Sequence, residues 1–379
     1  MRMTACVVRA GGAAQPFAES KPVSVEQVEL DGPGHEEMLV KIGGAGLCHS
    51  DLSILNGDRL RGLPIVLGHE GAGEVMEIGK GITDVKVGDH VVFQFSANCG
   101  RCRRCLEGRP QICQRATVTK AKGQLLSGAQ RIRDLDGNVL NHQSGVSCFA
   151  EYSVVHRGSV VVIDPSLALH EAAIFGCAVM TGAGAVMNTA RLRAGDSVAI
   201  VGLGGVGLNG LLGAKLAGAE TIVAVDLSDE KLGLARQLGA THTVNANDPD
   251  HVEQVRDLTS GGVDYAFDLA GTIKAMETAY ACTCHGGSVV SAGLSPSGAK
   301  FSFEQGDLVG QEKSIRGSYM GSCVPVRDIP RFISLYQQGR FPVDRLIDRT
   351  IGFDEVNAGF DKLQSNATVR QICVPNLGH

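Results

Sequence analysis

Through the first 150 residues, apolar and polar positions alternate in short runs, as at 38–42, 73–78 and 90–95, set between Gly, Pro and Asp turn signals. Alternation with a period of two, bounded by breakers, predicts half-buried strands joined by tight turns, and so an antiparallel β-rich domain. The opening MRMTACVVRAGG fits this pattern as a first strand and has no sustained apolar stretch of the secretory kind. From about residue 196 the texture changes. Apolar runs at 197–201, 221–225, 241–244, 263–269 and 288–291 are separated by helical patterns at 206–216, 230–238, 250–258 and 273–281. Apolar strands alternating with helices predict βαβ units around a parallel sheet. After about 320 the chain returns to mixed helix and strand, so the α/β unit is predicted to be inserted into the β-rich domain.

Composition narrows the function classes. A chain of 379 residues has room for two or three domains at about 150 residues each. A formal charge of −5 and the lack of long Lys/Arg runs argue against nucleic acid or an anionic membrane as partner. Uncharged stretches at 172–190 and 197–214 are broken by Gly and Asn, which reads as buried strand–turn–helix segments and not as membrane spans. The 50 glycines, against 5 tyrosines and no tryptophan, point to tight turns and close backbone approaches, the habit of dinucleotide-binding folds. The 12 cysteines lie in a chain read as cytoplasmic, where thiols stay reduced, so they are expected to hold metal and not to form disulfides. The sequon at 366–368 is then inert.

Gly202-Leu203-Gly204-Gly205-Val206-Gly207 follows a predicted strand and opens a predicted helix. Gly202 permits a tight turn, Gly204 lets the backbone approach a pyrophosphate, and Gly207 allows close helix–strand packing; the helix N-terminus favours the anion. The pattern alone is weak, but the next strand ends at Asp226, at the offset expected of a carboxylate on ribose hydroxyls. A carboxylate there repels a 2′-phosphate, and Leu227 and Ser228 offer no Arg to accommodate one, so NAD is expected and not NADP. Lys231, one turn further on, is in reach of the same ribose.

Cys99, Cys102, Cys105 and Cys113 are spaced C-x2-C-x2-C-x7-C in the segment 98–113. Four thiolates in one short loop close a tetrahedral shell, which suits structural zinc better than an iron–sulfur cluster without companion motifs. Cys48, His69 and Cys177 also stand out, each among glycines, but spacing alone does not join them. Cys282-x-Cys284-His285 looks metal-like, yet falls at a helix-to-strand junction and is read as core packing.

Taken together, the CHSD motif at 48–51, GHEGAGEV at 68–75, the four-cysteine loop, FGCAVMTG at 175–182, and GLGGVG at 202–207 with Asp226 closely resemble the zinc-dependent medium-chain alcohol dehydrogenases. The resemblance covers nearly the whole chain. It implies an α/β protein with a GroES-like β-rich catalytic domain at 1–178 and 322–379, a doubly wound Rossmann domain at 179–321, and an active site in the cleft between them. It implies Cys48, His69 and Cys177 as catalytic zinc ligands, with Glu70 beside the metal and Asp51 orienting His69. Ser50 becomes the hydroxyl that meets the substrate and starts a proton relay. His49 and Arg370 match positions at the cofactor pyrophosphate, and Thr181 and Val206 match positions against the nicotinamide. Cysteine at 177 favours the alcohol branch over the polyol branch, which places Glu there.

The resemblance therefore implies hydride transfer between an alcohol and NAD, with two zinc ions per chain, in a cytoplasmic homodimer or tetramer. One departure stands out: the relay often ends at a histidine where this chain has Ser53. Phe95 falls at a pocket position, while Gln143 and Ser144 occupy positions often filled by larger apolar residues. Arg59 and Arg61 are expected at the pocket entrance, as solvated loop charges or as partners of a substrate carboxylate. The segment 114–145 matches a long substrate-side loop. The preferred substrate is a primary, bulky or aromatic alcohol; a thiol adduct of formaldehyde stands second, and a reductase or structural role without catalytic zinc is remote.

Overall fold

The computed structural model describes residues 1–58 and 62–375. The chain forms two compact units: one of Met1–Cys177, Val324–Ile333 and Ile347–His379, the other of Ala178–Cys323 and Ser334–Leu346.

The first unit is β-rich. Arg2–Val8, Val23–Leu30, Ile132–Arg133, Val139–His142 and Ile65–Val66 close into a barrel. Beside it, a sheet runs in the order Val160–Ile163, His90–Phe93, Gly71–Ile78, Glu37–Gly46, Gln371–Cys373, Arg349–Ile351, and Tyr152–His156 also pairs with Glu37–Gly46. The alternation noted in the sequence becomes one buried and one more open face, as in Val23–Leu30, where Val28 and Leu30 are buried and Gln27 and Glu29 are exposed. Residues from most of these strands share one apolar core, including Phe93, Phe149 and Phe360. The C-terminal strand Gln371–Cys373 is a long-range insertion into this sheet: Ile372 pairs with Gly46 and Cys373 with Ala45, which brings Arg370 beside Leu47. The segment 114–145 is not an irregular loop. It carries the helix Gln114–Ala121 and two strands of the barrel.

The second unit holds six parallel strands in the order His242–Asn245, Thr221–Asp226, Ser197–Val201, Val263–Asp268, Thr283–Ser291, Ser314–Gly317. The order reverses between Ser197–Val201 and Val263–Asp268, a topological switch point of the kind where open α/β sheets bind ligands. Ser197–Val201 is buried over four of its five residues, the signature of a strand covered on both faces. Helix Gly205–Ala217 packs against Ala178–Gly184 at a separation that only glycine permits: a Cβ on Gly182 would lie 2.1 Å from the Val206 carbonyl oxygen. Cys282 is buried in this unit's core at the end of helix Ile273–Cys282. Among the described residues no single helix is long and apolar enough to cross a membrane.

Candidate active site and metal centres

In the first unit, Cys48 caps the helix His49–Leu55, and Asp51 accepts the Cys48 N–H on Oδ2 at 3.0 Å. This local turn fixes both residues before any tertiary contact. The other Asp51 oxygen accepts from His69 Nδ1 at 2.9 Å, with both side chains fully buried. The Nδ1 proton is thereby assigned, and Nε2 is left as the ligand atom. Cys177 follows Gly176, where a Cβ would collide with the Phe93 carbonyl oxygen at 1.8 Å; glycine alone lets this segment press onto the sheet. As a result Cys177 Sγ stands 3.7 Å from His69 Nε2. Donor atoms of Cys48, His69, Glu70 and Cys177 all lie within 4.8 Å of one another.

These residues fit a zinc ion. Tetrahedral zinc with bonds of ~2.3 Å to sulfur and ~2.0 Å to nitrogen separates S from N by about 3.6 Å. The electrostatics agree. A hydrogen bond from Cys177 is the main cause that holds the Cys48 thiol well below its ordinary pKa, and His69 adds to it against burial. The proton shared within that pair, together with burial, holds Cys177 well above. Burial lowers the His69 pKa, but the Asp51 carboxylate outweighs it and lifts the imidazole to about 10. A buried cluster that stabilises positive charge this strongly suits a divalent cation.

Two features were not legible in the sequence. Arg370 is buried and its Nη1 donates to Glu70 Oε2 at 2.8 Å and to the Leu47 carbonyl at 2.9 Å, so an arginine expected at the cofactor pyrophosphate also pins the acid beside the metal donors. Gln143, expected to line the pocket, turns toward the ligand histidine. Its Oε1 accepts from Gly68 N–H at 2.6 Å and its Nε2 donates to Asp51 Oδ1 at 2.6 Å, so the carboxylate that orients His69 is itself held. No periodicity or motif signals a contact across a separation of 92 residues.

Phe95 is buried, its N–H reaches the Gly176 carbonyl, and its ring meets His69 edge-on at 4.8 Å. Ser144 is buried with φ of +57°. Ser50 and His49 open the helix that Cys48 caps, and Ser53 Oγ donates to the Ser50 carbonyl within that helix. Arg59 and Arg61 lie outside the described residues.

Cys99, Cys102, Cys105 and Cys113 form the second donor cluster. Sulfur separations of 3.5, 3.6 and 3.9 Å match the edges of a tetrahedron of four sulfurs around zinc, about 3.8 Å. Backbone N–H groups of Cys99 and Cys102 point at Cys113 and Cys99 sulfurs, which stabilises thiolates. Among the described residues, Cys284 and His285 join no such cluster.

In the second unit, Gly202 has φ of +92°, and a Cβ on Gly207 would lie 1.8 Å from the Gly202 carbonyl oxygen. Apart from its chain neighbours, no described protein atom lies within 4 Å of a Cβ built on Gly204, the N-cap of Gly205–Ala217, so packing does not demand that glycine. A ligand cradle does, which is the fit expected of a pyrophosphate. Asp226 is fixed at the end of its strand by N–H groups of Leu203 at 2.6 Å and Ser228 at 2.9 Å. Ser228 Oγ caps the next helix by accepting the Lys231 N–H at 3.4 Å, and Lys231 is buried in the first turn. Thr181 Oγ1 rests 3.7 Å from Met320 Sδ.

A donor set of two cysteines and one histidine beside a closed four-cysteine site, in a chain that also carries a glycine-turn nucleotide cradle on a parallel sheet, defines a zinc-dependent dehydrogenase. Two thiolates with one imidazole are the donor set that zinc chemistry associates with alcohol dehydrogenase. The chain belongs to the zinc-dependent alcohol dehydrogenase family, an oxidoreductase family that uses NAD with a catalytic and a structural zinc. Residues 34–165 match the alcohol dehydrogenase GroES-like domain and residues 205–338 the zinc-binding dehydrogenase domain. The chain is 36% identical to S-(hydroxymethyl)glutathione dehydrogenase of Paracoccus denitrificans, over 95% of this chain and 98% of that one. It is 35% identical to alcohol dehydrogenase class-3 of Cereibacter sphaeroides, over 96% and 99%. Benzyl alcohol dehydrogenase of Acinetobacter calcoaceticus superposes with a TM-score of 0.89 at 33% identity, over 99% of each chain.

Proposed function

We propose that the protein reversibly oxidises a primary, bulky or aromatic alcohol to its aldehyde with NAD. The observation that carries this reading is the Phe95 ring, buried edge-on against His69, which gives the metal donors an apolar wall. The likeness to benzyl alcohol dehydrogenase supports the same substrate class. When bound, zinc acidifies a hydroxyl, by about 9 pK units or roughly 12 kcal/mol in the case of water, and NAD accepts the hydride. General-base catalysis alone supplies only about 100- to 10,000-fold, so no side chain here replaces that. Cys48, His69 and Cys177 hold the ion, and Asp51 keeps His69 in the tautomer that presents Nε2. Ser50 would take the proton from the substrate hydroxyl and hand it on toward solvent. With NAD bound, Gly202, Gly204, Gly205 and Gly207 would cradle the pyrophosphate, Asp226 and Lys231 would hold the ribose, and Thr181 and Val206 would flank the nicotinamide; His49 and Arg370 are the first unit's candidates for a pyrophosphate contact. We read the enzyme as a cytoplasmic homodimer, with sedimentation as the check on its assembly.

The identity to an S-(hydroxymethyl)glutathione dehydrogenase favours a second reading, oxidation of a thiol adduct of formaldehyde. NADH formation measured in parallel with benzyl alcohol and with formaldehyde plus glutathione separates them. Much higher kcat/KM with benzyl alcohol is expected. Turnover only when thiol and formaldehyde are both present would replace the first reading by the second.

A further inference from the structure

We infer that Asp268 is a positioning residue for the dinucleotide: its buried carboxylate ties the segment beside the glycine turn to the strand end that leads toward Thr181. This rests on the reading of Gly202–Gly207 as the cofactor cradle, and deepens it. Asp268 ends one of the two strands that flank the topological switch point, and in register it faces Val201, the residue before Gly202. It is 2% exposed. Its Oδ1 accepts the N–H groups of Ala270 at 3.3 Å and Gly271 at 3.1 Å. Its Oδ2 accepts the Ser291 hydroxyl at 2.7 Å, and its carbonyl accepts the N–H groups of Ala292 and Gly293 at 3.0 and 3.1 Å. One residue thus holds the ends of two neighbouring strands together.

Each of the two tied segments leads to a part of the cradle. Ala270 packs on the glycine turn, where a Cβ on Gly202 would lie 2.6 Å from the Ala270 Cβ. The segments also press on one another, since a Cβ on Gly293 would lie 2.2 Å from the Gly271 nitrogen. On the far side, the Ser291 carbonyl accepts the Ser318 N–H at 2.8 Å, and two residues further on Met320 Sδ stands 3.7 Å from Thr181 Oγ1. Among the described residues the partners of the carboxylate are a hydroxyl and peptide N–H groups, with no cation to offset its desolvation. Burial accordingly pushes the carboxyl above its ordinary range, against those hydrogen bonds. What the arrangement supplies is a fixed spacing between the turn that receives the pyrophosphate and the wall that carries Thr181. Ligands of open α/β sheets bind outside such strand ends, and a spacing set in advance spares the ordering that binding would otherwise require.

The other reading of Asp268 is a brace of the fold with no bearing on the cofactor. Titration calorimetry with NADH and with ADP-ribose, which lacks the nicotinamide ring, separates the two, with a thermal melt of each cofactor-free variant alongside. Asp268→Asn keeps an oxygen for both N–H groups and offers an N–H to Ser291 Oγ, so both ligands should bind within about threefold of the wild type. Asp268→Ala should weaken NADH by about tenfold or more. Ser291→Ala cuts only the tie that leads to Ser318 and Thr181. It should weaken NADH about fivefold, leave ADP-ribose within about twofold, and melt close to the wild type. A Ser291→Ala protein that binds both ligands as the wild type does, or loses both equally, would overturn the assignment. So would an Asp268→Asn protein that loses as much NADH affinity as Asp268→Ala. A wild type that binds neither ligand would remove the cradle reading itself, and the assignment with it.

Discussion

Ser50 and Ser53 occupy the same short helix, one turn apart, and general chemistry would let either hydroxyl pass a proton. Their surroundings differ. Ser53 Oγ already donates to the Ser50 carbonyl, as a helix-internal bond to the residue three positions earlier. That bond leaves its proton committed to the backbone. The family relay often places a histidine at position 53, and a serine with its proton engaged does not replace it. Ser50→Ala is therefore expected to lower kcat by two or more orders of magnitude, the size typical of general acid–base catalysis. Ser53→Ala should leave kcat within about twofold, since a hydroxyl that donates inside its own helix has no proton to relay. Steady-state rates of the two variants decide the matter, and comparable large losses in both would remove the relay through Ser50 alone.

At the scale of elements, the glycine turn before Gly205–Ala217 separates packing from binding within six residues. Gly207 is required by the protein itself, because a Cβ there meets the Gly202 carbonyl oxygen at 1.8 Å. Gly204 is not: its φ of −72° suits any residue, and apart from its chain neighbours no described protein atom lies within 4 Å of a Cβ built there. Gly207→Ala should thus lower the melting temperature of the cofactor-free enzyme by several degrees, through strain of about 1–3 kcal/mol. Gly204→Ala should leave that temperature within a degree and instead weaken NADH binding at least tenfold, as read by fluorescence titration. An unchanged NADH affinity in Gly204→Ala would mean that the cofactor does not lie against this residue. The same six residues show why elements were legible in the sequence: strand, turn and helix are neighbours along the chain, and each leaves a periodic or glycine signal. The four-cysteine loop was readable for the same reason.

Across the whole molecule, what the sequence did not reveal lies in contacts between residues far apart in the chain. Arg370 meets Glu70, Gln143 meets Asp51, and Lys120 meets Phe95, and each joining depends on how separate elements are threaded into one sheet or barrel. His142 belongs to the same group, and it predicts how the fold responds to acid. It ends a barrel strand, is buried, and accepts the Arg131 N–H on Nε2 at 3.0 Å, a bond that only the neutral imidazole can make. Burial, aided by Arg131 and opposed by Glu37, pushes its pKa from 6.5 down to about 4. Between these values the unfolded chain takes up a proton that the folded protein refuses. The stability associated with this group is therefore complete above pH 6.5 and is lost as pH falls toward 4, by about 3 kcal/mol in all. His142→Gln offers an amide oxygen to the same N–H without the titration. Melting temperatures of both proteins at pH 7 and pH 5 should show a clearly smaller acid-induced drop in the variant. The comparison cancels proton competition at the two zinc sites, which both proteins share. An identical drop in the two would show that His142 does not set this response, and that the barrel accepts the protonated ring.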